Sequence, residues 1–153
     1  MSRSILVIGY GNPLRQDDGF GYRVAELLQE ASLEGVQALA CHQLTPELAE
    51  PLSRCVVALF VDAREGEPVG QLEWETVTAD PSAQMLFAHS LTPANLLALA
   101  QTLYGSAPAR AYLLTVRSVH FAHAEGLSPA VEKAVKQAVA QIKHLRENTI
   151  SIA

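Results

Sequence analysis

Three stretches of this chain are dominated by apolar residues: Ser4–Tyr10 (SILVIGY), Val56–Val61 (VVALFV) and Ala111–Val119 (AYLLTVRSV), the last interrupted by Thr115, Arg117 and Ser118. A strand with one wet face alternates apolar and polar residues, so continuous runs predict strands covered on both faces. Helices must supply that cover. The chain offers them between the strands. Over Gly19–Glu30, Phe20, Val24, Leu27 and Leu28 recur at i, i+4, i+7 and i+8, one face of a helix. Thr45-Pro46, Thr92-Pro93 and Ser128-Pro129 each pair a capping hydroxyl with a proline suited to the first helical position. They predict helices over 46–53, 93–104 and 129–147. Val36–Cys41 reads as a further strand. Gln71–Thr78 alternates Leu72, Trp74 and Thr76 with Gln71, Glu73 and Glu75, as an edge strand does. The expected architecture is one α/β domain over 1–153: a five-stranded, mostly parallel sheet with helices on both faces and one antiparallel edge strand.

Composition narrows function by exclusion. The formal charge of −5 lacks the basic footprint of a nucleic-acid binder. No apolar run reaches the eighteen residues of a membrane span, and the N-terminal run is too short for a signal segment. A cytoplasmic protein acting as a monomer is expected. Two cysteines, Cys41 and Cys55, form neither a disulfide framework nor a four-cysteine zinc site; they border apolar runs and read as inert core thiols.

In open α/β sheets the site lies at the carboxyl ends of the strands, where strand order reverses. That rule selects three places. The loop after the first strand, GNPLRQDDG, holds Asn12, Arg15, Asp17 and Asp18; the third strand ends at Asp62, followed by Arg64; the loop before the 93–104 helix holds His89. Two carboxylates and an imidazole at one edge make an O,O,N metal site with open positions. Taken singly, Asp17 or Asp18 could simply cap a helix, and Asp62 could be structural. Gly9-Tyr10-Gly11 invites a dinucleotide reading, but position 14 is Leu where the fingerprint needs a small residue, and no acid closes the second strand. No nucleotide is expected. A nucleophile elbow, an H-E-x-x-H helix and a Walker loop are all absent. His120 and His123 sit close together after the last strand and read as loop or core residues.

The run Ile5–Gly21, ILVIGYGNPLRQDDGFG, resembles the opening motif of the nickel–iron hydrogenase maturation endopeptidases: an apolar strand, then G-x-G-N and, after a gap, D-[DE]-x-x-G. The likeness continues in order through FVDA at 60–63, HSLTPANLL at 89–97 and EGLSP at 125–129, nearly the whole chain. The resemblance implies a five-stranded sheet between helices. It also implies the task of cutting a C-terminal extension from a [NiFe]-hydrogenase large-subunit precursor once nickel is inserted. The family's metal-contacting positions fall on Asp18, Asp62 and His89, with nickel supplied by the precursor. Asp18 is one methylene shorter than the Glu of some members, and the family's turn after the second strand is replaced by CHQLTPEL. The QLTPELAEPL and GLSP stretches are most similar to the branch serving soluble bidirectional, NAD-linked hydrogenases. The expected mechanism has no protein nucleophile: Asp18, Asp62 and His89 read the nickel, and water attacks. Asp17 is a candidate to orient the loop, act as base or contact substrate, and Asn12 to hold the substrate backbone. The rival expectations are a chaperone that checks nickel loading without cutting and a small nucleotide-binding regulator.

Overall fold

The computed structural model describes residues 4–81 and 91–152. Its strands are β1 (Ile5–Tyr10), β2 (Val36–Cys41), β3 (Val57–Glu65), β4 (Leu72–Thr76) and β5 (Arg110–Ser118). Its α-helices are α1 (Phe20–Ala31), α2 (Ala49–Ser53), α3 (Pro93–Tyr104) and α4 (Pro129–Ile152). The sheet order is β2-β1-β3-β5-β4; β4 runs antiparallel to β5 and the other pairs are parallel. The expected α/β sandwich, with its antiparallel edge, is therefore the architecture found.

The side-chain period of two splits the core cleanly. Ile5, Val7, Val57, Leu59 and Val61 face Phe20, Val24 and Leu28 of α1 and Val131, Val135 and Ile142 of α4. Leu6, Ile8, Ala58 and Phe60 face Leu48, Leu52, Leu96 and Leu97 on the α2–α3 side. Each large side chain so buried contributes roughly 1.5–3 kcal/mol. Two covered faces are what require the apolar runs of β1 and β3 to be unbroken. Among the described residues β4 pairs with β5 alone. Its Leu72 packs on the α1–α4 side, while Glu73 and Glu75 pair with Arg117 and Arg64.

Several boundaries shift by a residue or two, and three differences have a plain physical reason. The 46–53 helix divides into a 3-10 turn at Pro46–Leu48 and the single turn of α2, since Pro51 lacks the N–H that a continuous ladder would need at that point. α4 runs to Ile152 and not to 147, because no glycine or proline follows Leu145 to end it. β3 does not stop at Asp62: pairing with β5 continues to Glu65↔Ser118, whereas pairing with β1 ends at Gly9↔Val61. The last four residues of β3 thus overrun β1. Among the described residues no helix is long and apolar enough to cross a membrane.

Candidate active site

β1 is flanked by β2 on one side and β3 on the other, so the order reverses at this strand and its carboxyl end opens the crevice. Glycines let the following segment close down on that edge. A Cβ on Gly21, in the first turn of α1, would lie 2.1 Å from the Val61 carbonyl oxygen. A Cβ on Gly11, whose φ is +143°, would lie 1.9 Å from the Asp18 carbonyl oxygen. A Cβ on Gly9 would lie 1.9 Å from the Gly21 carbonyl oxygen, so both glycines of the G-x-G serve close backbone packing.

The opening loop then folds on itself. Gly11 N–H donates to the Cys41 carbonyl at 3.0 Å, tying the loop to the end of β2. Asn12 N–H donates to Asp18 Oδ2 at 2.7 Å, and Asn12 Oδ1 accepts from Leu14 N–H at 2.9 Å. The Asn12 side-chain oxygen is thus engaged in shaping the loop. A 3-10 turn at Gln16–Gly19 carries both aspartates, and neither caps α1.

Asp18 is half-buried, and its charge acts on Asp62 across the β1–β3 edge. Asp62 Oδ1 accepts from its neighbour Ala63 N–H at 2.7 Å, and the Tyr10 hydroxyl hydrogen-bonds the same carboxyl group. Burial pushes Asp62 from 3.8 up to about 6; the Ala63 N–H, Tyr10 and Arg64 oppose that rise, while the charge of Asp18 adds to it. Burial, with Asp62 beside it, likewise lifts the Tyr10 phenol above its ordinary range. Asp62, out of water and beside a second carboxylate, is destabilised as an anion, and two such oxygen donors at one edge suit a shared cation. Among the described residues no group of three His, Cys, Asp or Glu is gathered for a metal. The expected third ligand, His89, lies outside the described residues.

Asp17 is not presented to substrate, which corrects that expectation. It is fully buried, and its carboxyl group accepts from Ser118 Oγ at 2.5 Å, Ser128 N–H at 2.7 Å and Ser128 Oγ at 2.7 Å. The Ser128 hydroxyl, at the residue before α4, thus donates to Asp17. His120 and His123 lie exposed on the loop after β5. That loop is bound to the opening loop: Asp17 N–H donates to the His120 carbonyl at 3.1 Å and Gln16 N–H to that of Ala124 at 2.9 Å. Cys55 is buried, with its thiol pushed up to about 11 by desolvation; Cys41 is half-buried and also raised by burial.

Tyr10, Ser118 and Ser128 escape sequence reasoning. Tyr10 had a signal. Aligning ILVIGY with VALFVD sets Gly9 beside Val61 and carries Tyr10 to the level of Asp62. The two serines had none, standing 101 and 111 residues from Asp17. A cavity of about 400 Å³ opens between α1 and α4, lined by Pro13, Tyr22, Leu27, Leu127 and Val135; neither Asp18 nor Asp62 lines it.

Solved structures of hydrogenase maturation peptidases share this fold. HybD, the hydrogenase maturating endopeptidase of E. coli, matches with a TM-score of 0.73 and 25% identity, over 94% of this chain and 93% of that one. The hydrogenase 2 maturation peptidase of a Thaumarchaeota archaeon matches with a TM-score of 0.68 and 29% identity, over 92% of this chain and 96% of that one. The [NiFe] hydrogenase maturation protease HycI of Thermococcus kodakarensis, at 23% identity and a TM-score of 0.69 over 92% of this chain and 90% of that one, shows a likeness of fold alone. No family model and no curated protein matches the sequence. The chain resembles hydrogenase maturation endopeptidases over most of its length.

Proposed function

We propose that this chain is an endopeptidase of hydrogenase maturation, removing the C-terminal extension of a [NiFe]-hydrogenase large-subunit precursor after nickel insertion. The observation that carries the reading is the Asp18–Asp62 pair at the β1–β3 edge, in a chain that matches maturation endopeptidases nearly end to end. The protein would act in the cytoplasm, as a monomer, on a protein substrate that brings its own metal.

In this reading Asp18 and Asp62 each offer an oxygen to the precursor's nickel, and His89 offers a nitrogen. Docking on the metal holds the scissile peptide beside the crevice. Tyr10, through its hydrogen bond to Asp62, orients that carboxylate. The attacking group is water, activated by a carboxylate or by the nickel as Lewis acid. A proton leaves the water, and the departing amine of the extension takes one up. No nucleotide takes part.

The test is to incubate the protein with nickel-loaded precursor and weigh the products. Two products whose masses sum to the precursor plus one water are expected. An intact precursor held in a stable complex would favour the non-cleaving chaperone instead. An Asp62→Ala enzyme that stays folded and cuts at the wild-type rate would remove the carboxylate pair from the mechanism.

A further inference from the structure

We propose that Asp17, Ser118 and Ser128 form a buried clamp that positions Asp18. Asp17 is the residue before the candidate ligand, yet its side chain turns inward and none of it is exposed. A carboxyl group taken fully out of water has to find donors within the protein. Here it finds three: the Ser118 hydroxyl, the Ser128 hydroxyl and the Ser128 N–H. Ser118 is the last residue of β5, is itself fully buried, and also accepts from His120 N–H at 3.0 Å. Ser128 immediately precedes α4. One side chain thus ties the opening loop to the end of a core strand and the start of a core helix.

The surrounding contacts point the same way. Arg15 bridges to Ala124, its guanidinium donates to the Phe121 carbonyl at 3.2 Å, and Ala122 N–H donates to Gln16 Oε1 at 3.1 Å. Gln16 holds a φ of +48°, which a non-glycine residue adopts only when its surroundings enforce it. Asp17 enters this lock, and its chain neighbour Asp18 is left on the Asp62 side, accepting the Asn12 N–H. Asp17 is therefore a positioning residue: it acts through Asp18, and the two serines act through Asp17. The consequence for cleavage rests on the peptidase reading above, whereas the clamp itself does not.

Asn12 N–H donates to Asp18 Oδ2, so its hydrogen exchange reads the placement of Asp18 directly. The experiment compares the full chain with Ser128→Ala, Asp17→Asn and the conservative Ser128→Thr. Exchange of the Asn12 amide is followed by NMR, and kcat and KM are measured on nickel-loaded precursor. In Ser128→Ala and Asp17→Asn the Asn12 amide should exchange about tenfold faster or more, while amides inside β1, such as Val7, keep their rates. kcat should fall about tenfold with KM within about threefold, in line with the cost of losing groups that orient a ligand. Ser128→Thr should restore both. Should Asp17→Asn fail to fold, Ser128→Ala decides. An Asn12 amide at its wild-type rate in folded Ser128→Ala overturns the clamp. So does equal acceleration in β1, which would mean lost stability alone. Faster Asn12 exchange with unchanged kcat overturns its role in cleavage. If the wild-type protein leaves the precursor whole, the peptidase reading falls and the exchange data still decide the clamp.

Discussion

Asp62 is held in the fold at a cost, and the sign of that cost is testable. It ionises near 3.8 in the unfolded chain and near 6 in the folded one. Between those values the folded protein binds a proton that the unfolded chain does not. The stability supplied by neutral Asp62 is thus fully present below about pH 3.8 and is lost as pH rises through about 6. A shift of this size corresponds to a few kcal/mol at most. Asp62→Asn keeps the shape without the charge. At pH 7 it should stabilise the metal-free protein by on the order of 1–3 kcal/mol, and at pH 3.5 by close to nothing, read from urea unfolding at both values. The same variant should lose processing. A residue whose replacement stabilises the fold and stops the chemistry is kept for the chemistry. The cysteines predict the reverse. With the Cys55 thiol pushed up to about 11, iodoacetamide at pH 7 should leave processing intact. Loss of activity through either cysteine would mean a thiol nucleophile.

At the scale of elements, the three hydroxyl–proline pairs look alike in sequence and differ in the fold. Thr92 forms a reciprocal capping box with Asn95: its Oγ1 accepts Asn95 N–H at 3.1 Å, and Asn95 Oδ1 accepts Thr92 N–H at 3.4 Å. Thr45 makes no cap bond to the turn it precedes. Thr92→Ala should therefore cost about 1 kcal/mol and Thr45→Ala much less, measured side by side in urea. The first turn of α1 gives a sharper case. Gly21→Ala drives a methyl against the Val61 and Tyr10 carbonyl oxygens, so it should cost about 3 kcal/mol or more, the upper end for overpacking. What was legible follows from periodicity. Ser4–Tyr10 and Val56–Val61 announced covered strands, Leu72 and Trp74 an edge, and the carboxyl-edge rule chose the loops of Asp18 and Asp62. What was not legible is set by distance in the chain or by competition between partners. Ser128 reads as a cap from its neighbours alone, and only the fold brings Asp17 to take its hydroxyl. Asp62 reads as a strand end because the apolar run stops there. β5 nevertheless continues to pair with β3, past the point where β1 gives way to the opening loop.

For the whole molecule the claim is that recognition and cleavage meet on one metal that the substrate carries. Asp18 and Asp62 alone would offer a metal a hard, two-oxygen site of low denticity. A free divalent ion has little reason to stay there without further ligands. On the proposed reading, a precursor that already holds nickel would supply them, and the two proteins would complete one coordination sphere together. An empty precursor asks the carboxylates to shed water with nothing gained in return. Cutting would thereby be conditional on loading. The decisive measurement presents nickel-loaded and metal-free precursor to the enzyme at equal concentration, with a chelator present to trap free ions, and follows release of the extension by mass. The account predicts release from the loaded form alone. Equal release from both forms would contradict it.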